Sequence, residues 1–194
     1  MTDNGLVVGE DGRARCAWAG LTADYTAYHD DEWGRAVHGE SALFERITLE
    51  AFQSGLSWLT ILRKREAFRR AFAGFDADRV ARFDEVDVAR LLADAAIVRN
   101  GAKVRAAVTN AAAVVRLRDS GGLDAFVWSF APTYERPRPA TSADVPSSSP
   151  ESTALARALK RNGFVFVGPT TAYAAMQACG LVDDHVAGCH VGRA

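Results

Sequence analysis

The sequence lacks the features of a membrane or secreted protein. No apolar run is long enough to cross a bilayer, and the N-terminus has neither the basic start nor the apolar stretch of a signal peptide. Three cysteines, an odd number, argue against a disulfide framework and fit a reducing compartment. We therefore expect a cytoplasmic protein without membrane contact, and 194 residues with 48% hydrophobic composition suit one compact domain or two closely packed halves.

An excess of positive charge is also missing. The chain has 23 basic and 24 acidic residues and a formal charge of −1, so the total does not indicate nucleic-acid binding. Local basic clusters occur near residues 63–70, 99–105 and 160–161. Solvated helix faces are the favoured interpretation of any single cluster, and charge alone decides nothing.

Alternating strand patterns and internal repeats are absent, whereas helical spacing of apolar residues dominates. The patterns predict an all-α fold, with residues 1–14 as a mobile tail, 15–194 as one domain with a helical core at about 75–130, and 131–149 as a loop. Predicted helices lie near 41–55, 57–75, 76–83, 84–94, 101–122, 149–163 and 169–180. Their predicted N-caps are Ser41, Ser57, Asp76, Asp84 and Ser149.

Two cysteine–histidine pairs lie at opposite ends of the chain. His185 and Cys189 have the one-turn spacing that places two ligands on one face, whereas Cys16 and His29 require the chain to fold back. Together they form a tetrahedral S₂N₂ set with no position left for water, which is typical of a structural zinc site. Two buried thiols and two surface histidines remain an equally weighted interpretation, and His190 is a spare candidate ligand.

Two further patterns are suggestive. The turn before Gly101, followed by Lys103 on the next helix, has the form of a helical hairpin that directs backbone N–H groups at a phosphate, although a plain helical connection is the commoner case. Aromatic residues also surround Glu50, whose neighbours on a helix are apolar. Such a carboxylate is paired, neutralised or kept for a ligand; the alternative is that Glu50 faces solvent and the aromatic residues form core.

All three patterns occur together in one family. The chain resembles the bacterial 3-methyladenine DNA glycosylase I family of the helix-hairpin-helix superfamily. The matching stretches run in order along the chain: RCAWAG at 15–20, YTAYHDDEWG at 25–34, residues 43–69, WSF at 128–130, and residues 159–189.

The resemblance implies roles for particular residues. A structural Zn²⁺ joining the terminal segments would be held by Cys16, His29, His185 and Cys189. The base pocket would consist of Glu50 as its acid, also assigned the catalytic role, with Tyr25, Tyr28 and Trp58 as stacking aromatics. DNA would be contacted by the hairpin, including Gly101 and Lys103, and by Gly55 and Leu56 facing the gap left by the extruded nucleotide.

The resemblance further implies excision of 3-methyladenine from alkylated double-stranded DNA by a monomeric hydrolase. No acid occurs between Gly101 and Arg118 and no motif positions a lysine nucleophile, so we expect a monofunctional enzyme that relies on the lability of the lesion. The alternative is a non-catalytic, zinc-stapled DNA-binding module. A zinc hydrolase of small molecules is disfavoured because four protein ligands leave no open metal position.

Overall fold

The computed structural model describes residues 5–134 and 136–192, which are mostly helical. Strands β1 and β2 cover Leu6–Val8 and Ala14–Cys16. The α-helices are α1 (Ala23–Asp31), α2 (Glu40–Gln53), α3 (Trp58–Ala71), α4 (Ala77–Val80), α5 (Glu85–Ala93), α6 (Gly101–Leu117), α7 (Gly122–Trp128), α8 (Pro150–Arg161) and α9 (Pro169–Ala178). No helix in this part of the chain has both the length and the hydropathy needed to span a membrane.

An N-terminal hairpin corrects two expectations from the sequence. Strand β1 pairs antiparallel with β2, with Leu6 opposite Cys16. Residues 6–14 are therefore not an unstructured tail, and the described chain is mostly rather than entirely helical; residues 1–4 lie outside the described residues. The hairpin forms because Leu6 is buried against Cys16, Val186 and Cys189, which are contacts that a three-residue strand does not reveal in sequence.

Most predicted helix starts are confirmed. Four side chains accept a hydrogen bond from a backbone N–H of the first turn, and they are Ser57, Asp76, Asp84 and Ser149. The predicted cap of α2 is wrong, because the helix begins at Glu40 and Ser41 lies within its first turn. The N-cap is Gly39, whose φ of +91° suits glycine and whose N–H donates to Asp124.

Helix α2 is the centre of the fold. It packs against α3, α6, α7 and α9, and every residue from 43 to 52 is buried. A helix enclosed on all sides carries its polar residues into the interior along with its apolar ones. Glu50 is therefore placed inside the protein by the position of α2.

The segment after α1 lies directly against the end of α9. Gly34 N–H donates to the Gln177 carbonyl at 3.1 Å. Gly180 has φ of +73°, and a Cβ there would lie 2.5 Å from the backbone carbonyl carbon of Arg35. Only glycine permits this approach, which brings α1 and α9 together at one end of α2.

Lys103 closes the C-terminal end of α2 from helix α6. Its Nζ donates to the carbonyl oxygens of Phe52 at 2.7 Å and Ser54 at 2.5 Å. These carbonyls belong to the orphan acceptors that every helix leaves at its C-terminus, where the helix dipole also favours a cation. The buried ammonium therefore fixes the turn that follows Glu50.

Replacing Lys103 with methionine should lower the free energy of unfolding by about 1–3 kcal/mol, because the α2 carbonyls lose charge-assisted partners while staying buried. Chemical denaturation would measure the change. The matched control is Lys160→Met, which removes an exposed lysine and should stay within about 0.5 kcal/mol of the parent. Equal losses in the two variants would show that Lys103 does not hold the helix end.

Candidate functional site

A cavity of about 280 Å³ opens between α1, α2, α3 and α9. It is lined by Trp18, Leu21, Tyr25, Tyr28, Trp33, Glu50, Gln53, Trp58, Ala174 and Gln177. The four residues assigned to a base pocket from the sequence therefore line one cavity. Its volume lies near the lower end of ligand sites, roughly 300–1,000 Å³, which suits a small flat ligand.

Half of the residues lining this cavity are aromatic. The Tyr28 and Trp58 ring centroids are 5.3 Å apart at 47°, and Trp18 meets Tyr25 edge-on at 5.5 Å. The Tyr25 hydroxyl accepts a hydrogen bond from Leu59 N–H at 3.0 Å, which ties α1 to the first turn of α3. This bond uses a lone pair of the hydroxyl, so its proton remains available to a ligand.

Glu50 is the acid of this cavity. Glu50 is only 6% exposed, so the alternative interpretation, in which its side chain faces solvent, is wrong. Burial raises the pKa of Glu50 to about 8, and the charge of Arg46 only partly opposes this shift. The carboxyl is therefore largely protonated at neutral pH and presents both a donor and an acceptor.

The charge of Arg46 does not offset the cost of burying an ionised Glu50, because Arg46 is already paired with another carboxylate. Arg46 and Arg65 both donate to the Glu32 carboxylate, at 2.8 Å and 2.6 Å. Although burial opposes the effect, hydrogen bonds from Arg65 and Arg46 lower the pKa of Glu32 to about 2. This separate, ionised carboxylate neutralises Arg46, which leaves Glu50 without a counter-charge of its own.

A second cluster joins the two ends of the chain. The ligand atoms of Cys16, His29 and Cys189 all lie within 4.8 Å of one another, and all three residues are buried. His185 is 2% exposed, its ring centroid is 4.9 Å from that of His29, and its Nε2 is buried without a hydrogen-bond partner. Three predicted ligands thus share one site that could hold a metal ion, and the fourth packs beside it.

Carboxylates orient both histidines of this cluster. Asp30 lies 2.8 Å from His29 Nδ1, and Asp183 lies 2.7 Å from His185 Nδ1. A carboxylate at Nδ1 holds the proton there and leaves the Nε2 lone pair free, as in carboxylate–histidine–metal arrangements. A hydrogen bond from the thiol of Cys16 lowers the pKa of Cys189, although burial opposes this shift, and the lowered pKa favours the thiolate form that metals bind.

His190 lies outside the three-residue group. Its ring stacks 6.2 Å from that of His29, and its Nε2 is 3.4 Å from Asp30. The ion-pair partner of its imidazole is therefore a carboxylate.

The residues assigned to DNA contact lie on two neighbouring turns. Gly55 and Leu56 form the exposed turn between α2 and α3, where Gly55 has φ of +80° and Leu56 is 41% exposed. Gly101 begins α6, capped by Asn100. The Lys103 side chain corrects the expectation from the sequence, because its ammonium is buried against the α2 carbonyls and does not present its charge at the surface.

Several cavity residues have no role in the interpretation of the sequence. Gln53 lies three residues after Glu50, so helical spacing alone places both on one face of α2. Ala174 and Gln177 come from α9, more than 100 residues later, and no local spacing in α2 indicates them.

These features define a mostly helical protein with an aromatic-walled, acid-containing ligand cavity beside a cysteine–histidine cluster. The methyladenine glycosylase family model matches residues 18–192. DNA-3-methyladenine glycosylase 1 of Escherichia coli (strain K12) is 47% identical over 178 residues, which cover 90% of this chain and 95% of the relative. DNA-3-methyladenine glycosylase of Haemophilus influenzae is 42% identical over 179 residues, covering 90% and 96%.

Solved structures agree with these matches. A crystal structure of 3-methyladenine DNA glycosylase I has a TM-score of 0.87 and 46% identity, covering 91% of this chain and 98% of that one. The Staphylococcus aureus enzyme, solved to explain its recognition of 3-methyladenine, has a TM-score of 0.86 and 33% identity, covering 91% and 95%. The chain therefore belongs to the methyladenine glycosylase family, as the resemblance in the sequence predicts.

Glu50→Gln should change how stability depends on pH. Folded Glu50 keeps its proton up to about pH 8, whereas in the unfolded chain it loses it near 4.5. Between these values the unfolded state binds fewer protons, so this group lowers wild-type stability as pH rises, on the order of 1.4 kcal/mol per pH unit. The variant should match wild type near pH 4.5 and exceed it at pH 9 in denaturation midpoints. The control Glu66→Gln, at an exposed site, should show no such divergence; parallel curves for Glu50→Gln and wild type would contradict the buried, protonated carboxyl.

Proposed function

We propose that this protein is a DNA glycosylase that hydrolyses the N-glycosidic bond of 3-methyladenine in alkylated double-stranded DNA. The observation that carries the proposal is the buried Glu50 carboxyl within an aromatic-walled cavity. A module that only binds DNA needs no dry, base-sized pocket containing an acid. The relatives named as 3-methyladenine glycosylases support the same substrate.

Recognition of the base rests on charge and stacking. Adenine alkylated at N3 is cationic while attached to deoxyribose, and cation–π attraction favours such a ring beside Tyr25, Tyr28 and Trp58. Glu50 accepts hydrogen bonds from the exposed edge of the base, and the positive ring favours its ionised form. To reach the cavity, the nucleotide rotates out of the duplex, at a cost of a few kcal/mol that is smaller at damaged pairs.

Bond cleavage depends chiefly on the leaving group. The cationic base departs with the electron pair of the glycosidic bond and so becomes neutral, and water adds to the sugar carbon left behind and releases a proton to solvent. The cavity holds the base during this step and excludes competing solvent from its edge. Of the three lysines in the chain, none is among the residues lining the described cavity, and Lys103 is held by carbonyl groups. This supports a monofunctional hydrolase without lyase activity.

Duplex DNA lies across the cavity mouth in this proposal. The α5–α6 connection acts as the hairpin, with Gly101 and the backbone N–H groups at the start of α6 facing phosphate. Gly55 and Leu56 face the gap in the duplex, beside the cavity residues Gln53 and Trp58. Lys103 contributes by holding this turn rather than by contacting phosphate.

Zn²⁺ fits the cysteine–histidine cluster as a structural ion held by Cys16, His29, His185 and Cys189. The unpartnered His185 Nε2, the adjacent thiols and the two carboxylates at Nδ1 support this donor set. The ion supplies a cross-link between the first and last segments, and four protein ligands leave it no catalytic position. The proposal includes a monomeric enzyme acting in the cytoplasm.

Excision is tested directly with methylated duplex DNA by measuring released 3-methyladenine. Wild type should release the base, and Glu50→Gln should do so at least tenfold more slowly, because the neutral amide cannot offset the positive charge of the base. Glu66→Gln, an exposed carboxyl-to-amide change, should retain the wild-type rate. An unchanged rate in Glu50→Gln would remove its assigned role, and DNA binding without release by wild type would favour the non-catalytic module.

Metal content is the second test. The purified protein should contain one Zn²⁺ per chain, and chelation should lower its melting temperature, since an ion present at 1,000 times its dissociation constant stabilises the folded state by about 4 kcal/mol. His185→Ala should lose the metal, whereas the matched variant His190→Ala should keep it. Retention by His185→Ala with loss by His190→Ala would assign the fourth ligand to His190 instead.

A further inference from the structure

An exposed apolar projection stands on the loop between α8 and α9. Val165 and Phe166 are 45% and 44% exposed, although the neighbouring Phe164 is buried. Phe166 also has φ of +62°, a left-handed conformation that bulky side chains rarely adopt. An exposed aromatic in a strained backbone does not serve core packing, and such strain commonly marks functional positions.

The loop is held in this shape by a buried amide. Asn110 of α6 is 1% exposed; its Nδ2 donates to the Val165 carbonyl at 3.1 Å, and its Oδ1 accepts from Val165 N–H at 2.8 Å. The surrounding structure therefore imposes the conformation of Phe166 instead of leaving the loop free to turn the ring inward.

The ring lies next to the turn that borders the aromatic cavity. Phe166 and Ser54 line the same surface groove, and Lys103 Nζ is 5.9 Å from the Phe166 ring centroid while it binds the Ser54 carbonyl. Two residues after Ser54 is the exposed Leu56. Two separate segments thus present exposed apolar side chains next to the α2–α3 turn, whose flanking residues Gln53 and Trp58 line the cavity.

The charge beside this groove fits a nucleic acid. Lys160 lines the groove, is exposed, and has no ion-pair or hydrogen-bond partner for its ammonium among the described residues. An unpaired cation beside an exposed aromatic ring is the combination that binds phosphate on one side and unstacked bases on the other.

We propose that Phe166 is a DNA-contacting residue whose exposed face packs against the bases left behind when the damaged nucleotide enters the cavity. This rests on the proposed glycosylase function, since continuity with the cavity mouth identifies duplex DNA as the occupant. Apolar side chains placed against disrupted base steps are a recurrent means of stabilising distorted DNA. Phe166 would stabilise the flipped-out state and leave recognition of the base itself to the cavity.

The test compares Phe166→Ala and Phe166→Gly with Tyr134→Ala, which removes another exposed aromatic residue. Both Phe166 variants should excise 3-methyladenine from duplex DNA about 5- to 100-fold more slowly, a range set by the loss of one stacking contact. Their affinity for the free base and their excision from single-stranded methylated DNA should match wild type. Phe166→Gly should melt at or above the wild-type temperature, because glycine accepts the positive φ.

A fluorescent adenine analogue at the position next to the lesion, paired with thymine, gives a direct readout. Wild type and Tyr134→Ala should change its stacking-sensitive emission on binding, and Phe166→Ala should lose most of that change. Duplex excision by Phe166→Ala at the wild-type rate would overturn the inference, as would an equal loss on single-stranded DNA. Absence of excision by wild type would instead reject the glycosylase function itself, so the two failures are distinguishable.

Discussion

The candidate site depends on the burial of one carboxyl group that has no ionic partner. Helix α2 is enclosed by four other helices, so Glu50 enters the interior with its neighbours, and the nearest cation, Arg46, is bound to Glu32. Ionisation of Glu50 is costly in these surroundings, which is why its pKa rises to about 8. An aromatic cavity that contains a buried carboxyl without a counter-charge therefore favours a positively charged ligand over a neutral one of the same shape.

The remaining structure keeps this cavity in shape by fixing its two ends. The Tyr25 hydroxyl ties α1 to the start of α3, while the Lys103 ammonium ties α6 to the end of α2. The cysteine–histidine cluster gathers the N-terminal hairpin and the segment after α9, which bring the walls contributed by α1 and α9 together. Polar contacts between elements that are distant in the sequence thus hold the walls of the cavity in place.

The sequence predicts those parts of the site that local patterns encode. Helical spacing indicates that Glu50 has apolar neighbours, and the family resemblance groups it correctly with Tyr25, Tyr28 and Trp58 in one cavity. Lys103 shows the limit of this reasoning. Its position at the start of a helix predicts an exposed cation, but the tertiary fold places the carbonyl groups at the end of α2 within hydrogen-bonding distance of its ammonium. The position of Gln177 and the burial of Leu6 are likewise not encoded in local patterns, since each depends on contacts with residues that are distant in the sequence.

In the proposed function, discrimination between damaged and normal adenine would follow from the same electrostatics. A neutral adenine supplies no positive charge to an ionised Glu50, so the carboxyl would keep its proton and the ring would gain only stacking and ordinary hydrogen bonds. A cationic, alkylated adenine supplies the counter-charge that the protein withholds, and attraction between opposite charges is strong in a water-poor cavity. The pairing of Arg46 with Glu32 would then be part of the proposed specificity, because a free arginine beside Glu50 would satisfy the carboxylate and compete with the positively charged base.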